Sequence, residues 1–88
     1  AILQEAAIFA DKSNITEEIV RLRSHVKHLD ELMEDGDSIG RKCDFLVQEM
    51  FREINTIASK ANNLEISRIV VDAKAELEKI REQLQNIE

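Results

Sequence analysis

The 88-residue sequence predicts an all-α fold, an antiparallel helical bundle built on a long helical hairpin, with three long helices and a short N-terminal one. Three observations carry that expectation. The chain has no Pro and only two Gly, Gly36 and Gly40, so few positions break a helix. Its apolar residues recur in alternating steps of four and three, the spacing of one helix face. The turn-forming residues between these stripes are few, and short connections between long helices set neighbours antiparallel.

The first segment, about 2–11, repeats Ile2, Ala6, Phe9 beside Leu3, Ala7, Ala10. It is short and opens in mid-pattern without an initiator Met, so it is expected to continue upstream in a longer protein. The second, about 15–35, carries the stripe Ile15, Ile19, Leu22, Val26, Leu29, Met33. Asn14 with Glu17 fits a capping box, with Thr16 as the alternative cap, and Gly36 is placed to end the helix. The third, about 39–61, starts near Ser38 or Ile39. Its stripe runs Ile39, Cys43, Leu46, Met50, Glu53, Ile57, and a second set, Val47, Phe51, Ile54, Ala58 and Ala61, widens the apolar face. Asn62-Asn63 is a turn signal. The fourth, about 64–86, alternates four and three through Ile66, Val70, Ala73, Leu77, Ile80, Leu84 and Ile87, a bundle or coiled-coil seam. The last two segments form the hairpin, and the first two pack on it. The final helix is equally suited to pack against another subunit.

Length limits the chain to one domain, 1–88. The net charge of −6 argues against nucleic-acid binding by bulk charge alone. The charge is uneven, however: residues 19–28 carry +3 and 29–38 carry −5. Basic surface is local, around Arg21, Arg23 and Lys27, with Arg41, Lys42, Arg52 and Lys60 on the next helix. A single cysteine, Cys43, excludes an intramolecular disulfide and fits a reduced setting. Its place on an apolar stripe marks it as a small buried hydrophobe rather than a nucleophile. No apolar run approaches the roughly 18 residues that span a bilayer, and the start lacks a basic leader. A Gly-rich phosphate loop, a CxxC pair, HExxH and a helix-turn-helix are all missing. Three Phe are too few for a single-strand stacking platform.

The polar residues that the seams leave unexplained lie mainly in the run Gly40–Asn63. Glu53 occupies a position that calls for an apolar residue, and Glu49 sits one turn earlier. Two glutamates at this spacing repel unless a cation lies between them. Arg52 or Lys60 would serve, and so would a divalent ion. On the preceding helix His25 lies at the border of the apolar stripe, with Glu18 seven residues earlier on the same side. An imidazole there either completes an interhelical hydrogen bond or joins Glu49 and Glu53 in a carboxylate-rich site for Mn²⁺, Mg²⁺ or Zn²⁺. His28 is rotated towards solvent. Phe45, an apolar ring on the charged side of its helix, either packs on another domain or subunit or stacks on a nucleobase.

RLRSHV (Arg21–Val26), GRKCDFLVQEMFREINTIASKA (Gly40–Ala61) and EISRIVVDAKAELEKIREQLQNIE (Glu65–Glu88) closely resemble the C-terminal domain of the YicC-like bacterial proteins. The resemblance covers nearly the whole chain, and its composite pattern is long and specific. It implies a cytoplasmic bacterial protein of the stress-induced class with an N-terminal domain upstream. It also implies a divalent-metal-dependent endoribonuclease acting on single-stranded RNA, and a homo-oligomer, hexameric in the family, with no membrane association. Family positions matched here include His25, Arg41, Asp44, Glu49, Arg52, Glu53, Asn55 and Lys60. Cys43 departs from the more usual Leu, and Phe51 from a polar residue; both concern packing. Taken with the residue pattern, Glu49, Glu53 and His25 are the expected catalytic residues and, with Glu18 as a fourth contributor, the expected metal ligands. Arg41, Arg52, Asn55 and Lys60 are the expected RNA-binding residues. The other functions compatible with the sequence are a helical oligomerisation and RNA-clamp module, with catalytic groups completed elsewhere, and a non-catalytic RNA-regulatory adaptor.

Overall fold

Three helices follow in chain order, α1 (Thr16–Asp35), α2 (Gly40–Lys60) and α3 (Leu64–Ile87). The structure is a computed structural model and describes residues 15–35, 40–61 and 63–87. The predicted first helix, 2–11, lies outside the described residues, as do Asn14, Gly36, Ser38, Ile39 and Asn62. Within the described residues the three helices cover their predicted ranges.

Local hydrogen bonds fix the ends. The Ile15 carbonyl accepts from the Ile19 amide at 3.0 Å, so α1 begins its bonding at Ile15. α3 is capped by Asn63, whose Oδ1 accepts from the Glu65 amide at 2.8 Å and the Ile66 amide at 3.3 Å. That bond geometry satisfies two of the donors a helix start leaves orphaned. The turn signal at Asn62-Asn63 is therefore also a helix-start signal.

α2 is the central helix and packs against both others. Pairs across α1 and α2 join Glu18 to Lys60 and Arg21 to Glu53, so one number falls as the other rises and the helices are antiparallel. At one end of the α2–α3 pair Leu84 borders Arg41; at the other Ile66 and Val70 lie with Ile57. That pair is antiparallel too. A helix with a neighbour on each side needs two apolar seams, which is why α2 carries two sets of apolar residues. Cys43, Leu46, Val47, Met50, Ile54, Ile57 and Ala61 are all buried, Cys43 and Val47 completely. α3 contributes Val70, Leu77 and Leu84 to the same core, with Ile66, Ala73 and Ile80 partly buried against it.

The stripe predicted on α1 needs correction. Val26 and Met33 are exposed, at 48% and 46%. The face turned to α2 instead runs Ile15, Glu18, Leu22, His25, Leu29, Leu32, still in steps of three and four. The physical reason lies in the polar partners. Rotating α1 to bury Val26 and Met33 would turn Glu18 and His25 outward, away from the charged residues of α2. A buried charge is tolerated only when it is paired, and the observed rotation is the one that pairs Glu18.

The helices lie side by side, the longest of them, α3, running 24 residues or about 36 Å. Between α1 and α3 a groove of ≈ 240 Å³ is lined only by apolar residues, among them Ile19, Leu22, Ile57, Ile66 and Ile69. Among the described residues, no helix is long and apolar enough to cross a membrane.

Candidate functional site

Polar residues gather where the middle of α1 crosses the second half of α2. Glu18, Arg21, Leu22 and His25 share the inward face of α1 because they are spaced three and four apart. Glu49, Glu53 and Lys60 share a face of α2 for the same reason, each within about 40° of Glu53 at 100° per residue. The antiparallel pairing then matches them in order, Glu18 with Lys60, Arg21 with Glu53, and His25 towards Glu49.

Glu53 is 5% exposed and Glu18 only 2%. The Arg21 guanidinium lies between them. Its Nε donates to Glu53 Oε1 at 2.9 Å, Nη2 stands 3.6 Å from Glu18 Oε1, and Nη1 stands 3.8 Å from Glu17 Oε2. Lys60 Nζ donates to Glu18 Oε1 at 2.8 Å. The second oxygen of Glu18 is buried without a hydrogen-bond partner. The Lys60 hydrogen bond, the glutamate's own backbone amide and the charges of Lys60 and Arg21 hold the Glu18 carboxyl below its ordinary range, outweighing burial, which acts the other way. The hydrogen bond to Glu53 raises Arg21 further above its usual value.

His25, Glu49 and Glu53 each offer one ligand atom, and these atoms lie within 4.8 Å of one another. Glu53 is buried, and His25 and Glu49 are half-buried. Glu18 is not one of the three; its placed oxygen is taken by Lys60. Arg52 approaches Glu49 only loosely, Nη1 to Oε2 at 3.8 Å, on a largely solvated side chain. The cation against Glu53 is therefore Arg21, neither Arg52 nor Lys60. Composition and spacing marked Arg21 only as local basic surface. Its position three residues after Glu18 and four before His25 was the available signal.

The expected RNA-contacting residues separate. Arg41 and Arg52 are exposed and eleven positions apart, so they fall on one strip of α2 about 16 Å long. Phe45 lies on the same strip and is 61% exposed. Asn55 is exposed about 200° around α2 from Glu53, on the other side of the helix. Lys60 is committed to Glu18, although its side chain is partly exposed. Cys43 lies in the core, and burial raises its thiol pKa.

Comparison with known proteins agrees with the residue pattern. The family described as endoribonuclease YicC-like, C-terminal, matches residues 1–88. A probable endoribonuclease YicC of Clostridioides difficile (strain 630) is 61% identical over 87 residues, covering 99% of this chain. The probable endoribonuclease YicC of Haemophilus influenzae (strain ATCC 51907 / DSM 11121 / KW20 / Rd) is 42% identical over 85 residues, covering 97% of it. The chain spans about 30% of the length of each of these relatives. No solved structure matches it. With a family match over its whole length, an all-helical architecture and a His/Glu cluster between its first two helices, the chain belongs to the YicC-like endoribonuclease family and corresponds to its C-terminal part.

Proposed function

We propose that this chain is the C-terminal, ion-holding part of a divalent-metal-dependent endoribonuclease that cleaves single-stranded RNA in the bacterial cytoplasm. The observation that carries the reading is the convergence of His25, Glu49 and Glu53 from two helices. Their donors fit a divalent ion: two carboxylates and one imidazole suit Mn²⁺ well, suit Zn²⁺, and suit all-oxygen-seeking Mg²⁺ less. Three protein ligands also leave room for water and substrate. Bound there, the ion supplies positive charge against the scissile phosphate and a nucleophile competent at neutral pH.

The chain's own residues do the rest. Glu53, held from behind by Arg21, presents its remaining oxygen from a fixed position. Arg52 and Arg41 neutralise phosphates along the outer strip of α2, and the exposed Phe45 between them takes a base by stacking. Lys60 buttresses Glu18 rather than reaching RNA in this arrangement. Asn55 belongs to a different surface and would meet RNA, or the N-terminal domain, on the far side of α2. The strip is short, so the isolated chain is expected to be poorly active and the longer protein active.

The test uses the longer protein that carries this chain. A Glu49→Gln, Glu53→Gln double variant loses Mn²⁺-dependent cleavage of a single-stranded RNA while its circular dichroism stays helical. Full activity in that variant ends the reading.

The exposed Leu64, Ile69 and Val71 on α3 favour a second reading, a helical oligomerisation or RNA-clamp module in a homo-oligomer. Light scattering separates the two: a metal-blind oligomer supports the module, and a monomer with tight Mn²⁺ binding supports the site.

A further inference from the structure

We propose that Arg21 is the positioning residue of the ion site: it fixes Glu53 through one oxygen so that the other is presented towards His25 and Glu49. The inference rests on the metal reading above and adds a residue to it. Three features of the geometry carry it.

The first is how the guanidinium divides its donors. An Arg–Glu pair whose purpose is cohesion favours the two-pronged fork, with two parallel bonds to one carboxylate. Arg21 spends only Nε on Glu53, at 2.9 Å, and turns its two terminal nitrogens towards Glu18 and Glu17, at 3.6 and 3.8 Å. One oxygen of Glu53 accepts that hydrogen bond, and Arg21 donates none to the other.

The second is where Arg21 sits. It is one turn from His25 on the same helix face, and its bond to Glu53 crosses from α1 to α2. The ion ligands come from those same two helices. A bond that ties α1 to one ligand, one turn from the ligand α1 itself supplies, sets the relative position of both.

The third is its charge environment. A cation beside an ion site would by Coulomb repulsion alone weaken ion binding. Glu18 and Glu17 flank this guanidinium, and Glu18 is itself buried at 2% exposure. Their negative charge offsets the repulsion, and the directional bond to Glu53 remains. Hydrogen bonds behind a metal-ligating carboxylate are worth about 10–100-fold in metal affinity.

The experiment is Mn²⁺ binding to the 88-residue chain, read by calorimetry and by the Mn²⁺ electron paramagnetic resonance spectrum. Arg21→Gln is compared with wild type, Arg21→Lys and Lys60→Gln. Arg21→Gln is expected to weaken Mn²⁺ binding by about 10-fold or more and to change the spectrum. Arg21→Lys should recover part of the affinity, since it restores charge and a donor without the fixed fork. Lys60→Gln breaks the neighbouring α1–α2 pair at Glu18, so it loosens the helices without touching Glu53. It is expected to lower the thermal midpoint yet leave Mn²⁺ affinity within about twofold. Unchanged or tighter Mn²⁺ binding in Arg21→Gln overturns the inference, because repulsion then outweighs positioning. An equal loss in Lys60→Gln overturns it as well, because the effect is then general loosening. Both outcomes leave the metal reading standing. Failure of the wild-type chain to bind Mn²⁺ removes that reading and this inference together.

Discussion

Glu53→Leu separates what Glu53 does for the fold from what it does for the site. Glu53 occupies a core position of α2, 5% exposed, in register with Met50 and Ile57. A leucine there would gain the transfer free energy of a nearly fully buried aliphatic side chain, about 1.5–3 kcal/mol. Against that stands the loss of the Arg21 bond. Arg21 is not stranded by the change, because half of its side chain is in solvent and Glu18 and Glu17 remain beside it. Replacing buried charges with apolar residues of similar volume is often neutral or stabilising by about 1–4 kcal/mol. A net gain of about 1 kcal/mol is expected, which raises Tm by about 4–8 °C in a domain of this size. The assay is thermal unfolding followed by circular dichroism, with Mn²⁺ binding measured in parallel. Glu53→Leu should unfold at higher temperature and bind no Mn²⁺. A drop in Tm of several degrees would refute the reasoning, since the carboxylate would then be holding the helices together rather than being tolerated by them.

Other consequences are simpler. The Glu18 carboxyl titrates below its ordinary value of 4.5, so it contributes stability above that pH and loses it as pH falls through the lower folded value. Urea midpoints should therefore fall below about pH 4.5 in the wild-type chain and fall less in Glu18→Gln; identical acid profiles would dismiss the Glu18–Lys60 pair as the cause. Cys43 is fully buried with a raised pKa, so a disulfide-exchange reagent at neutral pH should label it only as fast as the chain opens. Rapid stoichiometric labelling of the native chain would contradict that burial. Asn63→Ala removes the side-chain acceptor for the Glu65 and Ile66 amides and should destabilise by about 1 kcal/mol. An unchanged urea midpoint would show that solvent caps α3 equally well.

Much of the architecture is written in local pattern. The four-and-three alternation of α3, and the doubled apolar set of α2 that marks it as central, arise because burying one face stabilises a helix residue by residue. Glu53 stood out for the same reason, as a charge in an apolar register. The α1 register was the exception. Two faces of that helix offer comparable apolar residues, and periodicity alone favours the one that carries Val26 and Met33. Glu18 and His25 reversed the choice, through partners that lie 42 residues away for Glu18 and on a different helix for His25.

That this chain is helical, where its described helices run, which α2 and α3 faces are buried, and which family it resembles were all legible in the residues alone. Those features depend on spacing within one segment. That Arg21, not Arg52 or Lys60, faces Glu53, and that Lys60 is committed to Glu18, became readable once the helices were packed together. An ion pair between helices depends on their axial offset and rotation to within a few ångströms. Packing of the whole sets those two quantities, and no periodicity within a single helix encodes them.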